Sequence, residues 1–263
     1  MDARNRPLAV VTGASSGIGF ELAVQCARHG FDLVVAADRP LDDAVGTLRA
    51  YRAGVEAVQA DLSTVEGVDR LLAAIGERPV EALLANAGQG VGSAFLDREF
   101  DELRRVIDTN VTGTLYLLHA VLRRMRARGR GRVLVTGSIA GYMPGSFHAV
   151  YNASKAFIDS FAWALRDELE GSGVTVTCLM PGATDTEFFE HAGLLDTRLA
   201  QQKKDDPAMV ARLGFEAMMA GEGGVVTGLR NKLQVAAARV TPAPALAALH
   251  GTLARPGSAD QNA

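Results

Sequence analysis

The sequence predicts an α/β fold: a single domain built on a doubly wound parallel β-sheet of about seven strands, flanked by helices on both faces. Three observations carry that prediction. Short apolar runs recur without internal polar alternation, as strands do when both faces of their sheet are covered. Longer stretches with helical apolar spacing separate them, which implies right-handed crossovers between parallel strands. The 263 residues, 48% of them hydrophobic, suffice for one sizeable core, and no fixed-period repeat or internal linker divides them.

Taken in order, the strands fall at 8–12, 33–36, 55–59, 82–85, 132–136, 174–179 and a shorter 225–227. Helices are expected at 17–29, 42–53, 65–75, 100–128, 149–169 and 207–219. Between the first strand and first helix lies TGASSGIG, Thr12 to Gly19. Gly13, Gly17 and Gly19 tolerate the dihedrals of a tight turn and let the backbone approach a ligand. The helix that follows presents free N–H groups and its positive end, suited to a pyrophosphate. A basic run at Arg123, Arg124, Arg126, Arg128, Arg130 and Arg132 closes the long fourth helix and is read as solvated. The tail continues LRNKLQVAAARVTPAPALAALH, amphipathic and interrupted by Pro242 and Pro244; the last dozen residues, ending RPGSADQNA, are expected to fray.

A net charge of −3 gives no global positive field, so nucleic acid is not an expected partner. No charged-then-apolar leader precedes Leu8, and no apolar run approaches the ~18 residues of a membrane span, so membrane association is not expected. Cys26 and Cys178 are read as buried reduced thiols, which fits a cytoplasmic setting. The five histidines show no metal-ligand spacing, and no metal is expected.

YNASK, residues 151–155, places a phenol and an ammonium at i and i+4 on one helix face. Together with TGASSGIG, ADL (60–62), NAG (86–88), TNVTG (109–113), GS (137–138) and PGATDT (181–186), it makes the chain resemble the short-chain dehydrogenase/reductase family, in its compact single-domain branch with a Rossmann-like fold. The resemblance runs from about Leu8 to Gly228 and implies an NAD(P)-dependent oxidoreductase that interconverts a ketone or aldehyde and an alcohol by hydride transfer. Tyr151 matches the acid/base of that family. Its phenol, ordinarily with a pKa near ~10, would be lowered by Lys155 and by the positive oxidised nicotinamide. Lys155 also matches the lysine that holds the nicotinamide ribose. Ser138 matches the serine that polarises the substrate oxygen, with a turn cap as its bland alternative. Asn110 matches the asparagine that kinks its helix and holds a relay water; such a residue is unfavourable mid-helix without a special role.

Cofactor contacts implied in the same way are Gly13, Ser15, Ser16, Gly17, Ile18, Gly19, Asp38, Arg39, Asp61, Leu62, Asn86, Ala87, Gly88, Tyr151, Lys155, Pro181, Gly182, Thr184 and Thr186. Asp61 resembles the acid beside the adenine, or caps the helix starting near Thr64. NAD is favoured and NADP is the alternative: Asp38 can accept from ribose hydroxyls, although it stands one residue beyond the commonest acidic position, whereas Arg39 suits adenine or a phosphate. Substrate contacts are expected from Ser138, Ile139, Ala140, His148, Tyr151 and Phe188. Residues 1–228 then form the catalytic domain, with a lid at about 187–206 whose apolar side chains suit a hydrophobic substrate; 229–263 form an extension packed on it. A homodimer or homotetramer is implied, through the fourth helix and the one carrying Tyr151. The rival reading is a catalytically silent dinucleotide-binding redox sensor or scaffold.

Overall fold

A computed structural model describes residues 6–259. Seven parallel strands, β1 (Leu8–Thr12), β2 (Asp32–Ala37), β3 (Val55–Gln59), β4 (Val80–Ala85), β5 (Gly131–Thr136), β6 (Val174–Met180) and β7 (Gly224–Val226), form one sheet in the order β3-β2-β1-β4-β5-β6-β7. The apolar runs are continuous because both faces are covered. Leu8 and Val10 point into one core with α3 (Val65–Ile75), α5 (Thr114–Arg128) and α6 (Ala149–Glu168), while Ala9 and Val11 point into the other with α1 (Gly17–Arg28), α2 (Asp42–Arg49) and α9 (Pro207–Ala220).

Local signals set the helix ends. The Thr64 hydroxyl caps α3 by accepting from Gly67 N at 3.0 Å. Asp206 caps α9 ahead of Pro207, and Gly221 closes it in the left-handed region at φ +71°.

The helix expected over 100–128, with a kink at Asn110, is three pieces: α4 (Phe100–Ile107), a π-helical turn (Asp108–Gly113) that contains Asn110, and α5. The Asn110 side chain causes the break by reaching sideways to the backbone of Gln89. Gly113 permits a close approach to the loop below, since a Cβ there would lie 1.9 Å from Leu62 O. The basic run at the end of α5 is not simply solvated: Arg124 donates to Gly76 O, Arg128 to Val80 O at 2.6 Å, and Arg130 pairs with Glu81 at 3.0 Å.

After β6 come the short helices α7 (Phe188–His191) and α8 (Arg198–Gln201), then α9 and β7. The amphipathic tail is two helices, α10 (Leu229–Ala238) and α11 (Ala243–Ala254), parted where Pro242 precedes the second. The fraying expected near the end does not begin at Arg255. Ser258 is buried and accepts from Arg198 N at 3.0 Å, while Gly257 N and Ala259 N donate to Asp196. Backbone polar groups that find partners hold a short tail in place; residues 260–263 lie outside the described ones.

Candidate active site

The strand order reverses between β1 and β4, and a crevice opens at their carboxyl ends, as sheet geometry requires. The strand ends are clasped across that point. Thr12 Oγ1 accepts from the N–H groups of Asn86 (3.0 Å) and Ala87 (2.9 Å), and Thr136 Oγ1 donates to Asn86 Oδ1 at 3.0 Å. The resulting cleft, about 680 Å³, runs from the end of β2 past the glycine turn to the segment after β6. All of the expected cofactor and substrate residues line it; of the expected site residues only Asn110 does not.

The glycine turn is built for close approach. Gly13 and Gly17 sit at φ +66° and +56°, and a Cβ on Gly19 would lie 2.0 Å from Gly13 O. Ser16, which precedes α1, makes no side-chain cap; its hydroxyl instead donates to Glu187 Oε2 at 3.4 Å. The first turn of α1 carries no acidic residue of its own, and the carboxylate that reaches its N-cap, that of Glu187, comes from the distant segment after β6. A long groove with a glycine floor and a helix N-terminus at its middle fits an extended dinucleotide with a central pyrophosphate.

At one end of this groove Asp38 and Arg39 are exposed, and Arg39 Nη1 is paired with Glu187 at 3.2 Å. Thr64, not Asp61, caps α3. Asp61 Oδ1 accepts from Ser63 N and Ser63 Oγ, and Arg105 meets Oδ2 at 2.8 Å. Burial pushes this carboxyl up, but the Ser63 hydrogen bonds and the Arg105 guanidinium together hold it below its ordinary range.

The residues expected to be catalytic gather around α6. Tyr151, Lys155 and Asp159 follow one another at four-residue intervals and therefore share a face. Ser138, just beyond β5, faces them. Its hydroxyl accepts from Ala140 N at 3.1 Å, so it does cap a turn, and donates to Pro181 O at 3.4 Å; it also lies close enough to the Tyr151 phenol to favour its ionisation. Burial pushes the Tyr151 phenol up to about 12; the Ser138 hydroxyl opposes this and the Asp159 carboxylate adds to it. The expectation that Lys155 lowers the phenol is not met by the chain alone. Lys155 Nζ lies 5.8 Å from the Tyr151 ring centroid and donates to Thr136 O at 2.7 Å. Burial brings its own ammonium down to about 8, against the pull of Asp159.

Asn110 sits behind this group. Its Oδ1 accepts from Gln89 N at 2.8 Å, and its Nδ2 donates to Gln89 O and Ser154 Oγ, both at 2.9 Å. A Cβ on Gly88 would lie 3.2 Å from Asn110 Oδ1 and 3.4 Å from Lys155 Nζ, so the loop after β4 passes between them.

Beyond Tyr151 the cleft turns apolar. The His148 ring stacks on Tyr151 at 4.4 Å, and Phe188 closes over both, its centroid 5.0 Å from Tyr151 and 6.0 Å from His148. Burial brings His148 down to about 3, with His250 contributing, so the imidazole is neutral. Leu246, Leu249, His250 and Leu253 of α11 form the outer wall.

Sequence reasoning missed Asp159, Gln89, Glu187, Asn231 and His250. Extending the 151–155 spacing by four more residues would have found Asp159. The others reach the cleft only through contacts between distant segments. Asn231 is one: its Nδ2 donates to Asp205 Oδ2 at 2.7 Å and ties α10 to the segment that bridges Thr184.

With this fold and cleft described, comparison with known proteins gives the class. Residues 7–194 match the family model described as short chain dehydrogenase. The chain is similar to an uncharacterised oxidoreductase of Myxococcus xanthus, 42% identical over 188 residues, 68% of this chain and 73% of the relative. It is similar to the rat estradiol 17-beta-dehydrogenase 1, 37% identical over 189 residues, 69% of this chain and 55% of the relative. Among solved structures it resembles a short-chain dehydrogenase from Sphingobium yanoikuyae in complex with NADPH, with a TM-score of 0.79, 29% identity, and coverage of 89% of this chain and 94% of that one. The chain belongs to the short-chain dehydrogenase family, and it is an oxidoreductase of that family.

Proposed function

We propose that the protein interconverts a hydrophobic alcohol and its ketone or aldehyde with a nicotinamide dinucleotide, Tyr151 exchanging the proton at the substrate oxygen. The observation that carries this reading is the meeting of the Tyr151 phenol and Ser138 hydroxyl where the glycine-floored groove gives way to apolar wall. The dinucleotide, when bound, supplies or accepts the hydride and, in its oxidised form, a positive charge. Ser138 and Tyr151 offer two hydrogen bonds to a carbonyl oxygen, the arrangement that stabilises charge developing there. Tyr151, held above its ordinary range, is protonated at neutral pH and ready to donate in the direction of carbonyl reduction. Lys155 and Asn110 hold the surrounding backbone through Thr136 and Gln89.

Phe188, Leu199, Leu246, Leu249 and Leu253 around the outer cleft favour a hydrophobic substrate, as does the likeness to an estradiol dehydrogenase. NAD is the favoured cofactor and NADP the alternative. Asp38 stands free at the end of β2, whereas the nearest guanidinium, that of Arg39, is paired to Glu187. The exposed Phe100, Phe157 and Trp163, on α4 and α6, suit burial between copies of the chain in a dimer or tetramer. No helix among the described residues is long and apolar enough to cross a membrane; a cytoplasmic location belongs to the same proposal.

The test follows nicotinamide absorbance with NADH and NADPH over graded ketones, aldehydes and sugars, beside Tyr151→Phe. Turnover that falls by at least ~100-fold in the variant while cofactor affinity holds supports the mechanism. Equal activity in Tyr151→Phe would sink it. Binding without consumption across the whole panel would favour the sensor reading instead.

A further inference from the structure

Behind Ser138 and Lys155 a carboxylate is buried that the chemistry above does not use. Asp159 is 7% exposed and sits one turn beyond Lys155 on α6. Its carboxylate is wedged between the two glycines that flank the Ser138 turn. A Cβ on Gly137 would lie 1.7 Å from Asp159 Oδ1, and one on Gly141 would lie 2.3 Å from Oδ2. Oδ1 accepts from Ser138 N at 3.3 Å and from Cys178 Sγ, on β6, at 3.5 Å. Oδ2 is buried without a hydrogen-bond partner among the described residues. A lone buried carboxylate is costly to keep, and a hydrophobic side chain would fill a wedge of this shape at lower cost. Its position therefore calls for a role in the site.

We propose that Asp159 is a positioning residue for the reaction: it holds the Ser138 turn in register and sets the balance of charge between Tyr151 and Lys155. The inference rests on the function proposed above. The groups facing the carboxylate are Lys155 on its own helix, Cys178 on β6, and the Ser138 N–H on the turn; Tyr151 lies two helical turns away on the same face. Two effects follow from the negative charge. It opposes ionisation of Tyr151, and it favours the charged form of Lys155. Removing it makes both groups lose their protons more readily, so the whole pH–rate profile moves toward acid.

The test compares Asp159→Asn with Asp159→Ala. The asparagine keeps an acceptor for Ser138 N–H and fills the wedge but lacks the charge. Its profile of kcat/KM against pH is expected to shift down by on the order of one pH unit. The alanine keeps neither, and its kcat at its own optimum is expected to fall by about 10- to 100-fold, with cofactor Kd changed less than about twofold. A purely structural role would lower the folded fraction and leave both pH limbs where they were. A second readout needs no turnover: the ultraviolet titration of the Tyr151 phenol, taken as the difference between each protein and its Tyr151→Phe counterpart. Its midpoint is expected to fall in Asp159→Asn. Profiles and midpoints that superimpose on the parent would overturn the proposal. A parent that turns over nothing in the panel, while the phenol midpoint still moves, would sink the proposed function and leave the coupling standing. If the alanine variant fails to fold, the asparagine variant alone decides.

Discussion

At the scale of single residues, the site is assembled from groups held away from their ordinary ionisation. Lys155 has the clearest consequence for stability. Its pKa falls to about 8 in the folded protein and stands at 10.5 unfolded, so between these values the unfolded chain binds more protons. Stability contributed by this group is therefore lowest below pH ~8 and rises with pH up to ~10.5. Tyr151 acts in the opposite sense above pH ~10, because the unfolded phenol ionises first. Denaturant titrations from pH 7 to 10 should show an upward slope that Lys155→Met abolishes, and an identical slope in the variant would place the shift elsewhere. The phenol and ammonium of YNASK were readable from their spacing as sharing a helix face, and as a site only through the other motifs along the chain. Their ionisation was not, because it depends on burial and on Asp159, which only the fold brings against Ser138.

At the scale of elements, the strands were readable because a sheet covered on both faces leaves unbroken apolar runs, and Val10 and Val11 serve opposite cores. Most predicted bounds lie within two residues of the observed ones. The break at 108–113 was not readable from periodicity, since apolar spacing continues across it. It depends on Asn110 meeting Gln89, 21 residues away in sequence. Two glycines separate the local from the long-range contribution. Gly46 lies within α2 with nothing within 4 Å of an added Cβ, so Gly46→Ala should raise stability by up to about 1 kcal/mol through helix propensity. Gly113 is also helical, yet its Cβ would strike Leu62 O, so Gly113→Ala should destabilise by about 2 kcal/mol or more and disturb the Asn110 clasp. Thermal melts of the two variants check both signs, and a stabilised Gly113→Ala would remove the packing argument for the break.

At the scale of the whole molecule, the end of the cleft that holds Tyr151 and Ser138 and its apolar outer wall come from different parts of the chain. Most of the groove from the glycine turn to Thr186 was legible through its motifs, Gln89 and Asp159 excepted, because it is made of loops at fixed strand ends. The outer wall was not legible, because α11 lies about 90 residues beyond Tyr151 in the chain and lines the cleft only through the fold. Ser146 Oγ donates to Ala247 O at 2.9 Å and His250 Nδ1 lies 2.9 Å from Ser146 O, which fixes α11 against the loop before α6. Under the proposed function, the tail would therefore meet what reaches Tyr151. Leu249 separates this role from folding, since it lines the cleft and is 59% exposed. Truncating it removes apolar contact with a bound substrate and little from the core. Leu249→Ala should therefore lower kcat/KM for a large hydrophobic ketone by about tenfold, the effect of some 1.4 kcal/mol of lost burial. Its melting temperature and cofactor Kd should stay close to those of the parent. A small ketone that never reaches α11 should be turned over as before. Equal losses for large and small substrates would show that α11 supports the catalytic groups themselves and does not select among substrates.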